Sequence, residues 1–161
     1  NRKWATDVTQ IDIRGKKCYL SPILDLWNGE IISYTISDSP NLKMVTDMLQ
    51  KALRKQKNLE GMVIHSDQGW HYQHTRYQYI LKQYGIIQSM SRKGNCLDNA
   101  MMENFFGLMK NELLYHNKWE DIDEFKQALK KYIKYYNHKR IKLKLKMSPV
   151  LYRTHFQNIV N

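Results

Sequence analysis

The chain has 161 residues, 42% of them apolar and 12% aromatic, which suits one domain with a real core and argues against disorder. Its 26 Lys and Arg against 15 Asp and Glu give a formal charge of +11, so a polyanion is the expected partner, nucleic acid before membrane. Only Cys18 and Cys96 are present, far apart, which excludes a disulfide framework and a zinc ribbon and suits a reducing cytosolic compartment. No signal peptide and no apolar run of membrane-spanning length is present. The chain opens on a strand-like segment without an initiating Met, as expected for an excised domain.

In chain order, residues 4–13 read as a strand, Arg14-Gly15-Lys16 as a turn and Lys17–Leu26 as a second strand. Asn28-Gly29 signals a tight hairpin, and Glu30–Ser37 alternates as a third strand. After Pro40, Leu42, Val45, Met48, Leu49, Ala52 and Leu53 recur at helical spacing. Met62-Val-Ile64 reads as a buried strand ending at Asp67, Tyr72–Tyr84 as a helix and Gly85–Gln88 as a fifth strand. Asp98 is a plausible N-cap for a helix to about Leu114. The order β-β-β-α-β-α-β-α predicts an α/β domain, a mixed five-stranded sheet flanked by helices, with ligands at strand ends.

Three acids stand out: Asp7 among β-branched residues, Asp67 at a strand end and Glu103 near a helix start, with 35 residues between the last two. Carboxylates brought together repel, unless divalent cations sit between them. Magnesium or manganese, hard ions that take oxygen ligands, fit that need, and the layout is that of metal-dependent phosphoryl transfer. Asn99, Glu103, Phe106 and Lys110 share one helix face, although periodicity alone makes Glu103 and Lys110 ordinary surface charges.

Elsewhere the duller readings prevail. His65 reads as hydrogen-bonded scaffold, and His71 and His74 as surface or DNA-contacting residues, since two imidazoles make a weak zinc signal. Asp12 and Asp25 could substitute for Asp7, although Asp25 reads as solvent-facing or locally bound. Lys126 to Asn161 holds ten Lys and Arg and no acid, which suits a phosphate backbone, while Phe125, Leu129, Tyr132, Ile133 and Tyr136 follow helical spacing and should pack inward. Arg92 and Lys93, beside Gly94, are further candidates for phosphate contact.

Trp4…Thr6-Asp7-Val-Thr9, His65-Ser-Asp67-Gln-Gly69, Ser89-Met-Ser-Arg-Lys-Gly…Asp98-Asn-Ala…Glu103…Lys110…Glu112, Tyr135-Tyr-Asn137…Arg140 and Ser148-Pro149 together resemble the integrase-type core of bacterial insertion-sequence transposases. The resemblance is to family three of those elements, in its second reading-frame product. It implies a ribonuclease-H-like fold over 1–161, with a core over about 1–117 and a basic helical extension over about 118–161. It makes Asp7, Asp67 and Glu103 the catalytic acids and the ligands of two Mg2+ or Mn2+ ions, and Arg92, Lys93, Asn99, Lys110, Asn137 and Arg140 the candidate DNA contacts. The implied activity is DNA cleavage and strand transfer on transposon ends and target DNA, by a homo-oligomer in the bacterial cytoplasm at the nucleoid. An N-terminal helix-turn-helix region would lie outside this sequence. Trp70-His-Tyr72 and the basic Lys142–Lys146 run depart from the usual pattern. An inert DNA-binding module and a nuclease without strand transfer are the alternatives.

Overall fold

The computed structural model describes residues 3–91 and 99–160. The strand expected over residues 4–13 is two strands, β1 (Lys3–Thr6) and β2 (Thr9–Ile13), both antiparallel to β3 (Lys16–Asp25) in one unbroken register, with Thr6 opposite Ile23 and Thr9 opposite Leu20. The Leu26 amide donates to the Lys3 carbonyl at 2.9 Å, so alternate residues of β3, Leu24 and Pro22, also turn their backbone polar groups toward this pair. Pro22 therefore falls opposite Asp7, and it has no N–H to offer. Pairing lapses at Asp7–Val8, and the five expected strands become six.

The β2–β3 turn has Arg14 at φ 50 and Gly15 at φ 80, the twist that suits a two-residue hairpin. The turn at Asn28-Gly29 is not so tight. Five residues separate β3 from β4 (Ile31–Ser37), and the buried Asn28 holds the loop by accepting from the Glu30 amide at 3.0 Å and donating to the Pro149 carbonyl at 3.0 Å. β4 pairs with the outer side of β3 and is a sheet edge, whereas β5 (Val63–Ser66) runs parallel to β1, and β6 (Ile87–Met90) parallel to β5.

Helix α1 (Leu42–Lys55), capped by Asn41, links β4 to β5. The helix expected over 72–84 is broken at His74 into α2 (Trp70–Gln73) and α3 (Thr75–Gln83), because the His74 side chain caps α3 by accepting from the Arg76 amide. Helix α4 (Ala100–Met109) continues into a π-helical turn over Lys110–Tyr115, followed by α5 (Ile122–His138) and α6 (Pro149–Val160). Alternation along the strands sends Trp4, Ile23 and Ile64 to one face, against Met48, Leu49 and Tyr77 of α1 and α3. Ala5, Leu20 and Leu24 go to the other, against Phe105 of α4 and Phe125, Leu129 and Tyr136 of α5. The inward packing expected of Tyr132 and Tyr136 is what α5 shows. No helix of the described residues is long and apolar enough to cross a membrane.

Candidate active site

β1 and β5 are parallel neighbours with Lys3 opposite Val63, Trp4 opposite Ile64 and Ala5 opposite His65. Carried two residues further, that register sets Asp7 beside Asp67, on strands about 4.8 Å apart. Each carboxylate is steadied by the backbone that follows it: Asp7 Oδ1 accepts from the Val8 amide and Asp67 Oδ1 from the Gly69 amide, both at 2.8 Å. A Cβ on Gly69 would stand 2.9 Å from Asp67 Oδ1, so glycine is what lets this turn close on the acid. The end of β5 is fixed by His65, whose two ring nitrogens lie 2.9 Å from Ser89 Oγ and Ser91 Oγ. His65 is thus the scaffold its position suggests.

Glu103 is exposed in the first turn of α4. The start of that helix is tied to β1 by Asn99, which is buried and donates from Nδ2 to Asp7 Oδ2 at 3.3 Å. The Asn99 Oδ1 is also buried and has no hydrogen-bond partner among the described residues. Asn99, an expected DNA contact, is thus held beside the acids. Helical spacing had placed it on one face with Glu103; its partner across the sheet was not visible there.

Burial is the main reason the Asp7 carboxyl is pushed up from its ordinary 3.8 to about 6. The Val8 amide opposes the rise, and the charges of Asp67 and Glu103 add to it. Both acids therefore lie within electrostatic reach of Asp7. The site's donors, three carboxylates and an unpartnered amide oxygen, fit a hard divalent cation. Among the described residues no three His, Cys, Asp or Glu side chains converge closely enough to enclose an ion. With Asp67 and Glu103 exposed, the acids form an open cradle, and ions of this class complete such a shell with water and phosphate oxygens. A cavity of about 1110 Å³ lies at the opposite end of β5 and β6, beside Leu59, Met62 and Gly85, and the acids do not line it. A site open at the ends of two inner strands suits a long polymer better than a small enclosed substrate.

The other expected site residues divide. Lys110 is half-exposed where α4 meets the π-helical turn, and its side chain makes no hydrogen bond or ion pair among the described residues. Arg92 and Lys93, and the expected cap Asp98, lie outside the described residues. Asn137 and Arg140 both have partners within the fold. Asn137 accepts from the Ile31 amide and donates to the Ile31 carbonyl, both at 2.9 Å, occupying the outer edge of β4 as a neighbouring strand would. Arg140 forks Glu112, with Nε 2.9 Å from both carboxylate oxygens, while the Tyr132 hydroxyl donates to Glu112 at 2.7 Å. These partners are far apart in sequence, so the motif that marked Arg140 as a candidate DNA contact did not reveal them.

Asp12 accepts from the Gly15 amide in its turn, and Asp25 is buried, accepting from the Trp27 amide at 2.8 Å, so neither replaces Asp7. His71 is buried rather than at the surface, with Nε2 2.7 Å from the Pro40 carbonyl. Trp70 stacks on it at 4.0 Å and stays 55% exposed, an aromatic plane three residues past Asp67.

The family described as Integrase core domain matches residues 1–96, and a second family of the same description matches residues 103–156. The chain is 54% identical over 154 residues to the putative transposase InsK for insertion sequence element IS150 of Escherichia coli K12, covering 95% of this chain and 54% of that protein. It is 50% identical over 161 residues to an uncharacterized transposase-like protein of Haemophilus influenzae, covering 98% of this chain and 73% of that protein. With the transposase InsF for insertion sequence IS3A of E. coli it shares 36% over 115 residues, 71% of this chain and 40% of that one. The chain thus spans about half the length of the first of these relatives. Among solved structures, the HTLV-2 integrase catalytic core domain in complex with magnesium superposes with a TM-score of 0.71 at 19% identity, covering 94% of this chain and 95% of that one. A chain of the simian T-cell lymphotropic virus intasome gives a TM-score of 0.79 at 20% identity, covering 92% and 52%. The fold is accordingly ribonuclease-H-like.

Proposed function

The chain belongs to the integrase core domain family, and from that premise we propose that it is the catalytic part of an insertion-sequence transposase, which cuts DNA at an element's ends and joins them to a target. The observation that carries this reading is the β1–β5 register, which sets Asp7 beside Asp67, with Glu103 close enough to raise the Asp7 pKa further.

Asp7, Asp67 and Glu103 would hold the divalent cations, two of them in our reading, magnesium or manganese. When bound, such ions activate an attacking oxygen and stabilise the leaving one at the scissile phosphate. Asp7 keeps its proton up to about pH 6 in their absence and surrenders it when positive charge arrives. Asn99 ties Asp7 to the start of α4, the helix that carries Glu103. Water first frees a 3′-hydroxyl at the element end, and that hydroxyl then attacks a second phosphodiester in the same site. Neither step needs a Ser or Tyr nucleophile. Lys110 contacts phosphate beside the acids, with Arg92 and Lys93 as further contacts. Pairing two DNA ends requires more than one copy, so the active complex is a homo-oligomer on DNA in the bacterial cytoplasm.

A labelled duplex with a free 3′-hydroxyl, incubated with the chain in manganese, tests this on a denaturing gel. Wild type should give both shortened and elongated strands, and Glu103→Gln neither, at unchanged duplex affinity. Shortened strands alone would identify a nuclease without strand transfer. Neither product from a wild type that binds the duplex would identify an inert binding module.

A further inference from the structure

Glu103 on α4 and Lys110 at its end are seven residues apart, so at about 100° per residue the two project within about 20° of each other. Glu112, two residues past Lys110, points to roughly the opposite side. There it meets α5, and three donors converge on its carboxylate. Arg140 brings Nε to 2.9 Å from both oxygens and Nη2 to 2.6 Å from one, and the Tyr132 hydroxyl adds a bond at 2.7 Å. Arg140 is itself held, its backbone amide donating to the Tyr135 carbonyl at 2.9 Å. Glu112 also lies inside the π-helical turn that opens at Lys110, a winding that is rare and recurs at functional sites.

The buried face of α4 is Met102, Phe105, Phe106 and Met109, and methionine side chains repack when a helix turns, so apolar contact alone holds its rotation loosely. Polar bonds hold it at both ends, Asn99 to Asp7 at the start and Glu112 to Arg140 and Tyr132 beyond the last turn. We propose that Glu112 is a positioning residue for the reaction: clamped by Arg140 and Tyr132, it sets the rotation of α4 about its axis and so keeps Lys110 on the side of Glu103 and the other acids. The inference rests on the DNA-processing function proposed above. A pair as exposed as this one, 21% for the Arg140 side chain and 34% for that of Glu112, adds only modest stability. Several short bonds on one carboxylate fix its direction instead.

The test is a double-mutant cycle of Glu112→Gln and Lys110→Ala, read by fluorescence anisotropy of a random-sequence duplex in EDTA from roughly 50 to 200 mM salt. The control is Glu30→Gln, which makes the same chemical change and frees a different arginine, Arg153 of α6. With Lys110 present, Glu112→Gln should bind about threefold or more weaker than the control, with a flatter slope of log affinity against log salt. In the Lys110→Ala background the difference should vanish, because no ammonium is left to misplace. Three results would overturn the clamp and leave the proposed function standing: binding equal to the control, a deficit that persists without Lys110, or tighter binding with a steeper slope from a released Arg140. No duplex binding by wild type would overturn both. If circular dichroism shows Glu112→Gln unfolded at the assay temperature, Tyr132→Phe, which keeps the ion pair and drops one donor, enters the same cycle under the same criteria.

Discussion

Asp7 and Asp67 leave neighbouring parallel strands in the same register, and each is held at 2.8 Å by a backbone amide that follows it. The two differ in surroundings. Asp7 stands where Pro22 interrupts the ladder and is only partly exposed, while Asp67 opens onto solvent above Gly69. One acid is therefore reluctant to ionise and the other is ready to meet a ligand.

That asymmetry sets a pH dependence. Because the Asp7 pKa is raised, the folded chain binds its proton more tightly than the unfolded chain, and stability falls as pH rises from about 4 to about 6, then levels. Asp7→Asn lacks this loss. The melting temperature of the variant relative to wild type should climb between pH 4 and 7, by about 2–4 °C for each kcal/mol. Millimolar magnesium at pH 7 should narrow the gap by stabilising wild type alone. A gap indifferent to both pH and magnesium would contradict the assignment.

Glu112 behaves in the opposite sense. Hydrogen bonds from Arg140, then from Tyr132, hold its pKa below the ordinary 4.5, so its contribution is present above that value and is lost as pH falls through the folded pKa. Glu112→Gln should melt below wild type at pH 7, and the difference should shrink on acidification below about pH 4.5. Melting curves from pH 3 to 7 check this.

Asn137→Ala removes both bonds to Ile31 and uncovers part of the β4 edge. The expected cost is about 1–3 kcal/mol, since the backbone groups lose their partner. Duplex affinity should be unchanged. A variant with wild-type stability and weakened DNA binding would return Asn137 to the DNA-contacting set.

Lys110→Ala should weaken duplex binding and flatten its salt dependence by about 1 in slope, as expected when one phosphate goes without its cation. An unchanged slope would make Lys110 an ordinary surface charge.

The sequence carried much of this. Alternation and turn residues located the strands, and helical spacing located α1 and α5. Local motifs marked Asp7, Asp67 and Glu103 because each sits in a short segment with its own signature. What stayed hidden depends on partners distant in the chain. The break at Asp7–Val8 follows from Pro22 on the facing strand. Asn137 meets Ile31, Arg140 meets Glu112, and Asn99 meets Asp7 across 92 positions. A polar residue in a basic run looks free until the fold supplies its acceptor.

Anomalous diffraction from manganese-soaked crystals of the wild type and of Asp7→Asn tests the central claim most directly. The expected result is a peak contacting Asp7 and Asp67 in wild type that disappears in the variant. No peak at millimolar manganese, or one that the substitution leaves in place, would contradict a metal-dependent site built on these acids.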